Sequence, residues 1–259
     1  MSNQPIGIFD SGIGGTSIFK EINTLLPHEN IIYLADSKNA PYGNKTEEEI
    51  LQLSIKNVEL LCQKNCKLIV VACNTATTNS ISYLRKKYAI PFVGIEPAIK
   101  PASLNSTSKA IGILATKGTL SSALFHETSE LYTKGVKVIE RVGDGLVPLI
   151  EAGEIDSQNI KDLLKKYTKP MLDAQIDYLV LGCTHYPYLI PELKNILPNH
   201  VKIIDSGRAV AKQTKALLRM YDLENLTSQS PKIQFFTNSN VAVLDSILNN
   251  EFSVNFLDF

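Results

Sequence analysis

No apolar run in this 259-residue chain approaches the roughly 18 residues that a membrane-crossing helix needs. The opening stretch, MSNQPIGIFD, has neither the basic nor the apolar region of a secretion signal. Charge of one sign is missing too: 26 basic residues balance 26 acidic ones. That removes the electrostatic case for nucleic acid or an anionic membrane as a main partner. Cysteine is scarce. The four residues, Cys62, Cys66, Cys73 and Cys183, are too few and too unevenly spread for a disulfide framework. The expectation is a cytoplasmic protein with reduced thiols. Neither a dinucleotide fingerprint nor a P-loop is present: after Gly12 and Gly14 the third glycine of the former would fall on Ser17, and no Gly-Lys-Ser/Thr occurs.

What is there suits a folded core. Hydrophobic residues make up 44% of the chain, and its length allows one large domain or two modest ones. Short apolar runs (IGIF, IIYLA, LIVVA, FVGI, AIGILA, VKVIERV, YLVLG, VKIID, IQFF) alternate with stretches of helical period at 47–64, 75–88, 157–174 and 208–221. Thr46 with Glu49 three residues on fits a capping box. Nearly continuous apolar strands separated by helices predict an α/β protein with parallel sheets covered on both faces. An approximate repeat divides it. IGIFDSG is echoed by IGILATKG, and LIVVACNTA by YLVLGCTHYP. The expected architecture is two similar α/β domains, related by a pseudo-two-fold, facing each other across a cleft. Residues 1–97 with about 208–259 form one, and 98–207 the other, with the boundary in the Pro- and Ser-rich stretch 97–108.

Candidate chemistry gathers at strand ends, where open α/β sheets bind ligands. Cys73 and Cys183 each close a strand and are followed by Asn-Thr or Thr-His. A lone cysteine is ordinarily a small buried hydrophobe, and Cys62 and Cys66 fit that description; the matched pair does not. Cys73, Cys183 and His185 could hold zinc, or the thiols could do metal-free acid–base work. DSGIGGTS at 10–17 resembles a turn that cradles a small anion, such as a carboxylate, at a helix N-terminus. Alternatively it is only a tight turn, or the basis of a non-catalytic carboxylate- or phosphate-binding module. Asp10, a carboxylate at a strand end, calls for a partner. NAPYGNKT at 39–46 would be a structural loop or a lid placing Tyr42 over the cleft. Glu151 sits in an expected helix, by default solvated.

FDSGIGG, APYGNKT, VVACNTAT, GIEPA, ATKGT, LVLGCTHYP and IDSG, in this order, resemble the glutamate racemases of the aspartate/glutamate racemase family, from residue 6 to about 211. The resemblance implies interconversion of L- and D-glutamate without pyridoxal phosphate, metal or nucleotide, supplying D-glutamate for peptidoglycan, in a cytoplasmic homodimer. It makes Cys73 and Cys183 the acid–base pair, with Asp10 assisting the first, His185 the second, and Glu151 a further catalytic carboxylate. Substrate contacts would come from Asp10, Ser11, Pro41, Tyr42, Gly43, Asn74 and Thr75 on one side, and from Thr116, Thr119, Thr184 and His185 on the other. ERVGDGLVPLIEAG departs from the family pattern in lacking a Cys-Pro ahead of Glu151. With five residues before the first motif, the chain is expected to lack the N-terminal extension of members activated by a peptidoglycan precursor. The physical logic agrees: inverting an α-carbon needs proton transfer at both faces, which two residues on opposite walls can provide. Holding a thiol ionised at neutral pH costs about 2 kcal/mol at its usual pKa of about 8.5, so only one of the two needs to be a thiolate at a time.

Overall fold

Runs such as IGIFD and YLVLG carry apolar side chains on both faces of an extended chain, and such strands are stable only when covered on both sides. In the computed structural model, which describes residues 2–227 and 229–259, they form two all-parallel sheets. The first contains β1 (Ile6–Asp10), β2 (Ile31–Ala35), β3 (Leu68–Val71) and β4 (Phe92–Gly94). The second contains β5 (Ala110–Ala115), β6 (Lys137–Val142), β7 (Tyr178–Gly182) and β8 (Lys202–Ile204). Two late strands, β9 (Ile233–Thr237) and β10 (Val254–Phe256), return to the first sheet. The strand orders are β10-β9-β2-β1-β3-β4 and β6-β5-β7-β8. The chain therefore folds into two parallel-sheet α/β domains. Removing the two late strands leaves the same order in both, so β1, β2, β3 and β4 correspond to β5, β6, β7 and β8.

Alternation along the strands decides which core each side chain enters. Leu68 and Val70 of β3 join an apolar cluster that continues to Leu114, Leu179 and Leu181 of the second sheet. Ile69 and Val71, pointing the other way, join a cluster on the first sheet's far face, and Ile111, Ile113 and Val180 do the same for the second. One apolar core thus runs from sheet to sheet. Truncating a leucine in it, such as Leu181→Ala, costs about 2–5 kcal/mol. The edge strand β6 (KVIERV) is more polar, with exposed Lys137 and half-buried Glu140 and Arg141, which discourages further strand addition.

The four expected helices fall at Glu47–Gln63, Asn74–Lys87, Gln158–Asp173 and Gly207–Met220. Both halves of the capping box are made at Thr46 and Glu49. The stretch 97–108 holds a short helix, Ile99–Asn105. Pro101 lies in its first turn, where a missing N–H costs nothing. The Asp177 carboxylate then accepts hydrogen bonds from the Ser106 hydroxyl and the Thr107 and Ser108 amides at 2.6–3.0 Å. Burial would raise its pKa, but these donors hold it well below the usual carboxylate range.

In each sheet the chain leaves its first strand to one side and returns on the other, placing a crevice at the carboxyl ends of β1 and β3 and of β5 and β7. Both cysteine motifs emerge there.

Candidate active site

Past Val71 the chain turns into the helix Asn74–Lys87 with Cys73 as its N-cap. The thiol does what a serine or aspartate normally does there: its sulfur accepts the Ala76 N–H at 3.4 Å. The same sulfur lies 3.6 Å from Ser11 Oγ, which accepts from it. The positive end of a helix favours a thiolate. Burial outweighs it, and with the nearby charge of Asp10 pushes the Cys73 thiol far above its ordinary range.

Cys183 directly follows β7, and its backbone carbonyl accepts the Tyr186 N–H at 3.1 Å. Its Sγ lies 3.7 Å from Nδ1 of His185. The other ring nitrogen of His185 bonds to Glu151 Oε1 at 2.5 Å, and that oxygen also accepts the Ile13 N–H at 2.7 Å. Burial is the largest influence on the imidazole and would lower its pKa. Hydrogen bonds to Cys183 and Glu151, with their charges, win, and hold His185 well above its ordinary value. Glu151, at the end of the helix Leu146–Glu151, is therefore not a solvated helix residue. It orients the histidine.

The glycine-rich loop needs a different account from the one its composition suggests. Its amides are taken by the chain's own carboxylates: Gly12 N–H donates to Asp10 Oδ2 at 3.0 Å, and Ile13 N–H to Glu151. An added Cβ would fall 1.8 Å from Glu151 Oε1 at Gly12 and 2.3 Å from His185 Nδ1 at Gly14. Glycine is required so that a histidine and a glutamate can approach the backbone. Asp10 is fully buried and accepts the Thr184 hydroxyl at 3.1 Å from across the cleft. Burial, reinforced by Glu151, pushes its pKa up to about 6, against the opposing pull of His185 and the Gly15 and Gly12 amides.

Between the thiols lies a narrow pocket. Its walls on the first-domain side are Ser11, Pro41, Tyr42, Gly43, Cys73, Asn74 and Thr75; facing them are Thr116, Cys183, Thr184 and His185. Eleven of the fourteen site residues expected from the sequence meet there, and the other three stand one layer back. Asp10 is held by Thr184, Glu151 by His185, and Thr119 by Thr75 and Thr116 at 3.4 and 3.0 Å. Thr75 and Thr116 bridge the two sides at 2.8 Å. Asn74 is buried, and among the described residues neither its Oδ1 nor its Nδ2 finds a partner, an unsatisfied amide on the wall of a cavity. Tyr42 does line the cavity, but its hydroxyl is spent on Asp36 Oδ2 at 2.5 Å. What closes over the cleft is Gly43, where a Cβ would meet Thr116 Cβ at 2.7 Å.

Two participants escape a sequence reading. Val147 completes the wall with no motif to flag it. Asp36, immediately after β2, anchors Tyr42; a carboxylate at a strand end, the signal noticed at Asp10, was available there too. Among the described residues no three His, Cys, Asp or Glu side chains are grouped to hold a metal ion, so the geometry gives a Cys73–Cys183–His185 zinc set no support. Volume alone does not select the site. A hollow of about 1120 Å³ beside Pro198 is larger, but its ionisable lining is Lys194 and Lys202.

A sequence model of the Asp/Glu/Hydantoin racemase family matches residues 6–214. The glutamate racemase of Herpetosiphon aurantiacus is 43% identical over 242 residues, covering 93% of this chain and 95% of that one. Among solved structures, a glutamate racemase isoform from Bacillus anthracis superposes with a TM-score of 0.89 at 32% identity, covering 100% of this chain and 98% of that one. The Escherichia coli glutamate racemase, in complex with L-glutamate and the activator UDP-MurNAc-ala, gives 0.87 at 33% identity, with 98% of each chain covered.

Proposed function

We infer, from the premise that this chain belongs to the Asp/Glu/Hydantoin racemase family, that it is a glutamate racemase and interconverts L- and D-glutamate with its two thiols as the acid–base pair. One observation carries the reading. Cys73 and Cys183 leave corresponding strands of two like-ordered sheets and line the same small cavity, so a substrate between them has one thiol at each face.

The proton bookkeeping follows. A thiolate on one side removes the α-proton, the electron pair spreads into the substrate's α-carboxylate, and the thiol opposite returns a proton to the other face. Each turnover leaves the protonation of the pair reversed, ready for the opposite enantiomer. Cys73 serves D-glutamate and Cys183 L-glutamate, by the family resemblance. Asp10 acts on Cys73 by charge, since Ser11 rather than Asp10 touches the sulfur. His185, oriented by Glu151, exchanges protons with Cys183. Substrate carboxylates take the hydroxyls of Ser11, Thr75, Thr116 and Thr184 and the unpaired amide of Asn74, with Thr119 steadying the threonines. Backbone around Pro41, Tyr42 and Gly43 closes over them. These groups are neutral donors that strengthen as charge builds on the carboxylate.

The wider reading is a two-domain division at 1–97 plus about 208–259 and at 98–207, a homodimer, and a cytoplasmic supplier of D-glutamate for peptidoglycan that needs no cofactor. It is supported by the family; moreover, among the described residues no helix is long and apolar enough to cross a membrane. The deciding experiment is circular dichroism of L-glutamate incubated with the purified chain, dialysed against chelator and free of pyridoxal phosphate. Decay of the signal to zero is expected. Activity on aspartate but not glutamate would move the assignment within the family, and activity restored only by zinc would overturn the thiol mechanism.

A further inference from the structure

The loop that closes over the cleft is tied to the last residues of the chain. Its base is Asp36, a fully buried carboxylate. Asp36 Oδ2 accepts the Tyr42 hydroxyl at 2.5 Å and the Asn57 amide at 3.3 Å. Asp36 Oδ1 accepts the amides of Asn39 at 2.7 Å and Asn238 at 2.5 Å. Asn238 follows β9, 202 residues away in sequence, beyond the 6–214 span that the family model matches. It is buried and fully used: its Oδ1 accepts the Lys38 N–H at 2.9 Å, and its Nδ2 also donates to a Phe259 carboxyl oxygen at 3.1 Å. One side chain thus fastens both the base of the loop and its first turn to the segment after β10.

We propose that Asn238 is a positioning residue for glutamate binding: by donating to Asp36 it fixes the Asp36–Tyr42 bond, and through it the backbone at Tyr42 and Gly43 that covers the substrate. The inference rests on the glutamate racemase reading. Among the described residues no hydrogen bond of Asn238 runs to a residue lining the cavity, so its loss loosens the cover without disturbing either thiol. The effect falls on KM rather than kcat.

Asn238→Asp separates this role from packing. It keeps the shape and still accepts from Lys38, but it cannot donate to Asp36 once ionised. The charged and titratable groups facing that pair are Lys56, whose Nζ lies 3.8 Å from Asp36 Oδ1, Tyr42, and the carboxyl group of Phe259, whose oxygen lies 3.1 Å from Asn238 Nδ2; the Lys38–Asp258 pair lies outside on the surface. Two carboxyls in contact share one proton at low pH and repel when both ionise. The test is steady-state racemisation of glutamate by circular dichroism at pH 6 and pH 8, with thermal unfolding of each variant alongside. Wild-type turnover checks the underlying reading independently of the inference. For Asn238→Asp, KM rises roughly tenfold at pH 8, returns toward wild type at pH 6, and kcat stays within about twofold. Asn238→Ala raises KM at both pH values. Tyr42→Phe keeps the ring and removes the donated bond, so it gives the same KM-selective loss even if the Asn238 variants fold poorly. An Asn238→Asp KM equal to wild type at pH 8, equal losses in kcat and KM, or an unchanged KM in Tyr42→Phe would overturn the proposal.

Discussion

Asp10 carries a stability cost that can be measured apart from catalysis. Its pKa moves from an ordinary 3.8 to about 6, so the folded state binds this proton more tightly than the unfolded chain does. The favourable contribution is complete below 3.8, declines as pH rises through the window from 3.8 to about 6, and beyond that settles at a penalty. A shift of about two units at 1.36 kcal/mol each makes the penalty about 3 kcal/mol. Asn at this position keeps the contacts: its oxygen accepts from Gly12, and its amide donates to Thr184 Oγ, a hydroxyl able to accept as readily as donate. Asp10→Asn should therefore match wild type at pH 4 and exceed it by about 2–3 kcal/mol at pH 8, or roughly 5–10 °C in Tm for a chain of this size. The same variant loses activity, a trade of function for stability. Urea unfolding of both proteins at pH 4, 5, 6 and 8 reads the difference. A gap that stays constant across that range would refute the burial argument.

Racemisation should vanish in both directions in Cys73→Ala and in Cys183→Ala, but not in Cys62→Ala or Cys66→Ala. In D₂O the wild-type product should carry α-deuterium ahead of recovered substrate, as proton NMR would show; unlabelled product would point to one base carrying one proton across. Gly14→Ala brings a methyl within 2.3 Å of His185 Nδ1 and should cut kcat by about 100-fold or more with little change in fold by circular dichroism; near-normal kcat would mean the histidine has room to move. The buried ion pair of Lys67 and Glu29, at 2.5 Å, predicts that Lys67→Met destabilises by about 3–5 kcal/mol through the stranded carboxylate. Adding Glu29→Gln should recover most of that loss in denaturant unfolding, and failure to do so would locate the cost elsewhere.

The strands and the two thiols were legible because their signals are local: an apolar run, its abrupt end, and the same event 110 residues later. The glycine-rich loop misled for the same reason. Its composition announced an anion, and the anions are there, but one of them is Glu151, 138 residues away. No local pattern marks Glu151 either, whose partner His185 lies 34 residues downstream on the far side of β7; the family resemblance supplied it. Asn238 lies further still from its partner Asp36, and nothing in TNSN distinguishes it from an ordinary helix cap such as Asn240, which does cap the helix Val241–Ile247. Periodicity and turn chemistry report on neighbours in sequence. Hydrogen bonds that close a site are made by neighbours in space.

The two halves match in strand order yet differ in what surrounds each sulfur, and the proposed reaction limits what that difference can do. Cys73 meets a hydroxyl and a helix amide beside a carboxylate; Cys183 meets an imidazole backed by Glu151. L- and D-glutamate have the same free energy in water, so kcat/KM must be equal in the two directions whatever the protein does. Unequal neighbours can therefore divide kcat and KM differently for the two enantiomers, but never their ratio. A change at Asp10, on the Cys73 side, must lower kcat/KM for both enantiomers by one common factor, as must a change at Glu151 on the other side. The two sulfurs are sequential parts of one barrier. A variant that lost kcat/KM toward one enantiomer alone would be catalysing something other than racemisation.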